Sequence, residues 1–316
     1  MQQRALWTFH GEIENGADIS AIAVLENGQF VAIAGDEGAT VQILQRRSPG
    51  EYETFDEIDL TGQLKKGENE FDIEGLAYSR GRIYVLGSHS KKRPLLDPSL
   101  SQKANRKRLF QCDNQPGRQC LFEIDYQGNG KFAKKVKPCD LIEAIQASSI
   151  LAPFLEIPSK ENGIDLEGLA AQGDDLVVGF RGPVLREGWV PILKLDFDKP
   201  EKAKTLFVQL GGRGVRDLLQ TAEGLLILAG PMRDEPLAYA VYFWNGNDAI
   251  AGHDRQTEDV PILLGEVPLP HVGAKPEGLG LVEEGAGYFD VVLVCDSSPN
   301  GSPTVFRVAK PLPRKS

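Results

Sequence analysis

The chain repeats one short phrase at long intervals, and this repeat constrains the fold more than any other feature. The phrase reads Asp72-Ile-Glu-Gly-Leu-Ala77, then Asp165-Leu-Glu-Gly-Leu-Ala170, then Lys275-Pro-Glu-Gly-Leu-Gly280. Each copy is followed by a short turn and a run rich in β-forming residues. Recurrence of this kind is typical of stacked, similar structural units. The repeat therefore predicts a ring or array of equivalent units.

Two degenerate copies extend the series, one around Asp18-Ile-Ser20 and one around Asp217-Leu-Leu219. Third and fourth apolar runs follow the copies, as in Cys120–Tyr126 and Lys131–Val136. Four antiparallel strands that recur around a closed ring are typical of a β-propeller. We predict an all-β fold with five four-stranded blades. The aligned blade positions are Ser20, Glu74, Glu167, Asp217 and Glu277.

The two ends of the chain predict how the ring closes. The last copy supplies only three strands, ending at Thr304–Val308, and an extra strand, Ala5–His10, precedes the first copy. We expect the N-terminal strand to complete the C-terminal blade. A sixth blade would have to lie between Glu74 and Glu167, where the spacing is longest. We interpret that excess as a loop insertion at 91–118 and a helical insertion at 140–156, in a single domain of residues 1–316.

The charge and the distribution of apolar residues limit which binding partners the chain can have. The formal net charge of -10 argues against nucleic acid and against an anionic membrane surface. No apolar run approaches the length of a membrane helix, and the first residues lack the apolar stretch of a signal peptide. We expect a cytoplasmic protein. We expect its partner to be a small-molecule or anionic ligand at the mouth of the propeller channel; oligomeric state is not indicated.

The glutamates of the repeat begin the innermost strands, so they should meet around the channel. Hard oxygen ligands that converge on one axis suit Ca²⁺ or Mg²⁺, and Glu74, Glu167 and Glu277 are the candidate metal ligands. A structural interpretation stands beside this one. The glycine after each glutamate would permit close backbone packing, with the carboxylates bonded to amides or to arginine.

His89 follows the end of a predicted second strand, between two serines. Second-strand ends and first-strand starts share one face of a propeller, so this imidazole should lie near the glutamates. Imidazole titrates near neutrality, which makes His89 a candidate general base or acid. A hydrogen-bonded loop histidine is the other interpretation.

Arginines reach the same predicted face. Arg181 occupies the position equivalent to His89 one blade further on, and Arg213 and Arg216 precede Asp217. The candidate ligand-binding residues are Arg181, Arg213, Arg216 and Asp217. A guanidinium group can bind a carboxylate or a phosphate through two parallel hydrogen bonds. The arginines could equally neutralise the carboxylates. The insertion at 91–118 is basic and is interpreted either as a lid over the channel or as a solvated loop.

The phrases Asp-Ile-Glu-Gly-Leu-Ala, Leu-Gly-Ser-His-Ser, Phe-Arg-Gly-Pro-Val and Gly-Val-Arg-Asp-Leu resemble those of an uncharacterised bacterial propeller family, a domain of unknown function. That family is distantly similar to phytase-like and esterase-like propellers. The resemblance spans about residues 15 to 310. A phytase-like propeller implies calcium-assisted phosphoester chemistry. Only Glu74, Glu167 and Glu277 match the shared Glu-Gly step, and Ser20 departs from it.

These observations support two functional hypotheses. The first is a divalent-metal-assisted hydrolase of a phosphoester or ester, with His89 and Glu167 as catalytic residues. The alternative is a non-catalytic propeller scaffold that binds a protein or a small molecule. No Gly-x-Ser-x-Gly elbow and no phosphate-binding glycine loop occurs in the sequence, which disfavours triad hydrolysis and nucleotide hydrolysis.

Overall fold

Five small antiparallel sheets surround a central channel in a computed structural model, which describes residues 1–64, 71–233, 235–254 and 259–311. The protein is a five-bladed β-propeller, and the predicted fold class is confirmed. The strands of each blade run from the channel outwards, and neighbouring inner strands contact one another all around the ring.

The strand bounds of the five blades follow, with the inner strand first. Blade 1 comprises Ile19–Leu25, Phe30–Gly35, Thr40–Ser48 and Glu51–Asp59. Blade 2 comprises Ile73–Ser79, Arg82–Gly87, Leu121–Gly128 and Lys131–Cys139. Blade 3 comprises Asp165–Gln172, Asp175–Gly182, Trp189–Asp196 and Lys204–Gln209. Blade 4 comprises Gly214–Gln220, Leu225–Gly230, Ala240–Trp244 and Ile262–Glu266. Blade 5 comprises Lys275–Glu284, Tyr288–Asp296, Thr304–Ala309 and the N-terminal strand Gln2–Leu6.

The N-terminal strand closes the ring. Gln2–Leu6 pairs antiparallel with Thr304–Ala309, as predicted. The predicted strand had different bounds, however, because the chain changes blade after Leu6. Thr8–His10 pairs in parallel with the outer strand of blade 1. Trp7 packs on Tyr52 there, with 4.7 Å between ring centroids, and this aromatic contact holds the second segment against blade 1.

The hydrophobic core lies between the blades, in clusters that join each inner strand to its neighbours. The glycine of the repeated phrase permits this packing. A Cβ atom on Gly75 would lie 2.9 Å from the carbonyl oxygen of Glu167 and 2.9 Å from Cβ of Leu169. Gly168 is confined by Val215 of the next blade, at 2.6 Å, and Gly278 by Val294 of its own blade, at 2.6 Å, and by Ile22 of the next blade, at 3.1 Å. The predicted packing role of these glycines is confirmed.

The segment at 91–118 contains more structure than the predicted loop. A helix covers Gln102–Phe110. Two short strands of two residues each, Lys91–Lys92 and Asp113–Asn114, pair antiparallel. Ser101 caps the helix by accepting a hydrogen bond from the amide of Ala104 at 3.2 Å. We call residues 91–118 the lid. The apolar residues of the helix, Ala104, Leu109 and Phe110, do not form a stripe along one face, so the sequence carried no hydrophobic periodicity to reveal it.

The second insertion contains the helix Ile142–Ala147 and a 3₁₀ turn at Ala152–Phe154. Leu141, Ile145 and Leu151 are buried and join the hydrophobic cluster between blades 2 and 3. The insertion is therefore packed onto the propeller. Among the described residues, no helix is both long enough and apolar enough to cross a membrane.

Candidate functional site

At its channel-mouth end, every inner strand has one residue that is not paired with a residue of the neighbouring strand. In blade 2, Ile73 pairs with Gly87 and Gly75 pairs with Leu86, so Glu74 has no opposite residue. The same register shift occurs in the other four blades. A β-bulge of this kind re-aims a side chain. The five bulged residues, which we call the bulge ring, are Ser20, Glu74, Glu167, Arg216 and Glu277.

The member contributed by blade 4 is Arg216, not Asp217 as the sequence alignment had it. The alignment matched carboxylate to carboxylate, but Val215 pairs with Ala229 and Asp217 with Leu228, which leaves Arg216 as the bulged residue. Asp217 occupies the glycine position of the phrase. Its carboxylate accepts hydrogen bonds from the amides of Leu218 and Leu279, both at 2.7 Å. Asp217 thus joins blade 4 to blade 5, and burial raises its pKa.

The leucine of the repeated phrase and its equivalents in the other blades form an aliphatic layer beneath the bulge ring. Its members, two residues further along each inner strand, are Ile22, Leu76, Leu169, Leu218 and Leu279. Each is at most 4% exposed. All five also line a cavity of about 600 Å³ at the opposite end of the channel, and that cavity shares no lining residue with the one at the mouth. An aliphatic floor keeps water from reaching the bulge ring from below, which favours uncharged carboxyl groups there.

Two arginines hold Glu167. Arg216 Nη1 lies 2.8 and 2.6 Å from the two carboxylate oxygens of Glu167. Arg181 Nη1 lies 2.8 Å from Glu167 Oε1, and Arg181 Nη2 also pairs with Asp165. Arg216 Nη2 lies 3.3 Å from Glu277 Oε1. Glu167 is 1% exposed, so these contacts compensate a fully buried carboxylate.

Glu74 lacks such a partner. Within the described ranges, it forms no hydrogen bond and no ion pair, yet it lines the cavity at the channel mouth. Burial raises its pKa well above the usual value, and the negative charges of Glu167 and Asp72 raise it further. Glu74 thus combines a raised pKa with the absence of a hydrogen bond or ion pair to the described residues.

Three other carboxyl groups in the cavity have raised pKa values. Burial raises the pKa of Asp165 to about 7, against the opposing effect of Arg181. Burial raises the pKa of Glu277 to about 8, against the opposing effect of Arg216. Burial, followed by the charge of Asp72, raises the pKa of Asp36 to about 7. Asp36 Oδ1 is buried and has no hydrogen-bond partner among the described residues. The acidic side of the cavity is therefore partly protonated near neutral pH.

The cavity at the channel mouth has a volume of about 560 Å³. Eight acidic and eight basic residues line it, although the whole chain carries a net charge of -10. The basic residues are Lys92, Arg93, Arg118, Lys160, Arg181, Arg216, Arg233 and Lys275. The lining is therefore balanced in formal charge, in contrast to the acidic chain as a whole, and the raised pKa values of several of its carboxyl groups reduce its negative charge near neutral pH.

The structure brings four of the predicted site residues to this cavity, namely Glu74, Arg181, Arg216 and Glu277. Glu167 lies directly behind them, in contact with both arginines. The other three predicted residues neither line the cavity nor lie directly behind it. Besides Asp217, these are Arg213, whose guanidinium donates to the carbonyl oxygen of Ala238 at 2.6 Å, and His89.

His89 is turned away from the cavity by its backbone. Its φ of 53° lies in the left-handed region, and its ring is buried, with Nδ1 2.8 Å from the carbonyl oxygen of Gly87. The neighbouring serine, Ser90, lines the cavity instead. The sequence placed this histidine correctly at a strand end but could not reveal the direction of its side chain.

Arg118 is a cavity residue that the sequence did not indicate. Its Nη1 lies 2.8 Å from Asp72 Oδ2 and 3.1 Å from Ser90 Oγ. Ser88 Oγ donates to the same oxygen of Asp72. Arg118 comes from the end of the lid, outside the blade repeat, so no alignment of blades could have assigned it. It fixes the lid to the inner strand of blade 2.

The three glutamates of the bulge ring do not fit a shared metal site. Arg216 lies between Glu167 and Glu277, and both arginines already hold Glu167. Across the described part of the chain, no group of three histidine, cysteine, aspartate or glutamate side chains has an arrangement that could hold a metal ion. The guanidinium groups of Arg181 and Arg216 lie beside Glu167 and Glu277, where the sequence predicted a cation. The residues present therefore do not support a metal-dependent step.

Fold and site together define a class: a β-propeller of five blades with a charged, partly protonated cavity at one end of its channel. Within that class, the chain belongs to the family DUF3616, described as a protein of unknown function, whose family model matches residues 18–303. Comparison with curated proteins found no match.

Solved structures give broad, distant likenesses. A hypothetical protein from Leishmania major is 14% identical, with 98% of this chain and 90% of that chain covered and a TM-score of 0.42. MPT-4, a mannose phosphorylase from Leishmania mexicana, is 12% identical, with 96% and 86% covered and a TM-score of 0.43. An exo-β-1,3-galactanase from Phanerochaete chrysosporium is 9% identical, with 98% and 64% covered and a TM-score of 0.47. All three TM-scores lie below 0.5, so nothing about activity follows from them.

Proposed function

We propose that the channel-mouth cavity binds an anionic phosphoester or carboxylester and hydrolyses it, with Glu74 as the proton donor. One observation carries the proposal. Glu74 has no partner within the described residues and lines the cavity, whereas the other two glutamates of the bulge ring contact arginine. A partly buried carboxyl group with a raised pKa and no hydrogen bond or ion pair to the described residues is typical of a functional acid.

The charge of the cavity supports an anionic ligand. Arg181 and Arg216 lie on its wall, and the carboxylates that pair with them fix their positions. Lys160 and Arg233 stand nearer the rim, with no ion pair to the described residues, and can meet an anion as it enters. A cluster of basic residues within an otherwise acidic surface concentrates anions locally.

The residues suggest how the proton moves. Hydrolysis breaks the bond between the acid group and the leaving oxygen, and water supplies the new oxygen to the acid group. In our proposal, Glu74 gives its proton to the leaving oxygen, and the proton that water releases returns Glu74 to its acid form. Such general acid catalysis contributes typically about 10²- to 10⁴-fold to a rate. The aliphatic floor keeps Glu74 protonated between turnovers.

The test is turnover of a panel of phosphomonoesters and carboxylesters by the wild-type chain, by Glu74→Gln and by Glu57→Gln. Glu57 is an exposed residue on the outer strand of blade 1 and serves as the matched control. We expect Glu74→Gln to lose about a hundredfold or more in rate and Glu57→Gln to match the wild type. Equal rates for Glu74→Gln and the wild type would remove Glu74 from the proposal.

A non-catalytic binding propeller is the second candidate, and one observation favours it. Glu167 is held by two arginines in the manner of a structural ion pair, so part of the bulge ring stabilises the fold. Calorimetric titration with methylphosphonate, whose P–C bond resists hydrolysis, separates the candidates. Binding of methylphosphonate together with no turnover of any ester in the panel would establish the binding role and contradict the catalytic one.

A further inference from the structure

Apolar side chains line the same cavity as the charged residues. Leu95, Leu96 and Leu109, all from the lid, line the cavity together with Met232 of blade 4. These leucines are unusually exposed, at 84%, 52% and 52%. Exposed aliphatic side chains beside a cavity commonly mark a surface that a ligand covers.

The exposed leucines are held in place by the lid's own contacts. Arg108 Nε donates to the carbonyl oxygen of Leu95 at 2.6 Å. Arg93 Nη2 lies 3.0 Å from Glu161 Oε2, and Arg93 Nη1 donates to the carbonyl oxygen of Gln111 at 2.9 Å. The leucines are therefore presented at a defined position over the channel mouth.

A third contact ties the lid to the body of the propeller. Lys91 Nζ lies 2.6 Å from Glu156 Oε2 in the second insertion. Together with the Arg93–Glu161 ion pair, it ties the start of the lid, just before Leu95 and Leu96, to residues outside the lid. The leucines and the charged residues thus line one cavity of about 560 Å³, a volume within the usual range for small-molecule sites.

We propose that the ligand of this cavity is amphiphilic, with an anionic head group bound at the arginine wall and an alkyl, acyl or aryl arm covered by Leu95, Leu96 and Leu109. This inference rests on the proposed function for the head group and adds the class of substrate. An anion without an apolar arm would leave the leucines exposed to water. An apolar molecule without a charge would leave Lys160 and Arg233, which form no ion pair with the described residues, without an ionic partner.

The experiment measures the dissociation constants of methyl-, butyl- and hexylphosphonate by calorimetry. Each methylene that is buried on the leucines should tighten binding about threefold, so butylphosphonate should bind at least about tenfold more tightly than methylphosphonate. The double variant L95S/L109S should flatten this series and leave the dissociation constant of methylphosphonate unchanged. L263S, which alters a leucine that is 53% exposed on the outer strand of blade 4, should keep the full dependence on chain length.

The outcomes separate the two proposals. A flat series in the wild type, with methylphosphonate still bound, overturns the amphiphilic ligand and leaves the anion site standing. A series that stays steep in L95S/L109S also overturns it, because the arm would then lie elsewhere. Absence of binding by all three phosphonates contradicts the anion site and the amphiphilic ligand together.

Discussion

Arg216 and Glu167 occupy equivalent positions in neighbouring blades and bind each other across the channel mouth, at 2.8 and 2.6 Å. Both are buried, at 4% and 1% exposed. Two of the five residues of the bulge ring thus neutralise each other: Arg216 is the counter-ion of Glu167. The ring that looked like a set of metal ligands in sequence is in part a built-in ion pair.

Removing one partner of this pair should destabilise the protein strongly. Arg216→Met leaves Glu167 buried with only Arg181, and breaking a buried pair costs about 3 kcal/mol or more. For a chain of this size, that corresponds to a fall in melting temperature of about 6 °C or more. Arg80→Met, which breaks an exposed pair with Asp174, is the control and should cost less than about 1 kcal/mol. An equally small loss for Arg216→Met would show that the pair contributes little.

Glu74 should make stability fall as pH rises. Its folded pKa is raised, so above the ordinary glutamate pKa the unfolded chain gains from ionisation before the folded chain does. Stability is therefore lost between that ordinary value and the raised one. Glu74→Gln removes the loss, and we expect its melting temperature to exceed that of the wild type by about 2 °C or more at about pH 8. Near about pH 4 the two proteins should melt alike. A difference that is the same at both pH values would contradict a raised pKa at Glu74.

The glycine of the repeated phrase should not tolerate a side chain. Gly75→Ala places a methyl group 2.9 Å from both a carbonyl oxygen and a side chain of blade 3, so the blades must separate. Overpacking of this kind costs about 1 to 3 kcal/mol. Gly62→Ala is the control, because nothing lies within 4 Å of its Cβ position and its φ is not left-handed. If urea denaturation gave both variants the same stability, close packing would not be the reason for the glycine.

Divalent cations should leave the melting temperature unchanged, because guanidinium groups already neutralise Glu167 and Glu277. The measurement compares thermal unfolding in calcium, in magnesium and in a chelator. A rise in calcium that disappears in Glu167→Gln would instead support the metal site that the sequence suggested.

Much of the fold could be predicted from sequence because each residue of Glu-Gly-Leu has a separate physical role in blades 2, 3 and 5. The glutamate position bulges into the channel, the glycine permits contact between blades, and the leucine forms the floor. Because those tasks recur, the residues recur, and five blades with a ring closed by the N-terminal strand followed from counting them. The switch of the chain to blade 1 after Leu6 depends on Trp7 and Tyr52, which do not repeat.

The site was less predictable, because its chemistry lies in the departures from the repeat. A bulge shifts register by one residue, so Asp217 and Arg216 could not be told apart by alternation alone. The backbone of His89 turns through a positive φ that no neighbouring residue indicates. Arg118 enters from an insertion. Glu74 was found because it follows the repeat, and its lack of a partner could be seen only in three dimensions.

The central claim is that Glu74 is a protonated acid in the cavity, and its titration tests this most directly. In protein labelled with ¹³C at glutamate side chains, the Cδ resonance that disappears in Glu74→Gln can be followed against pH. We expect its midpoint to lie well above the ordinary glutamate value of about 4.3, and to change when methylphosphonate binds. A midpoint near that ordinary value, unaffected by methylphosphonate, would contradict the account.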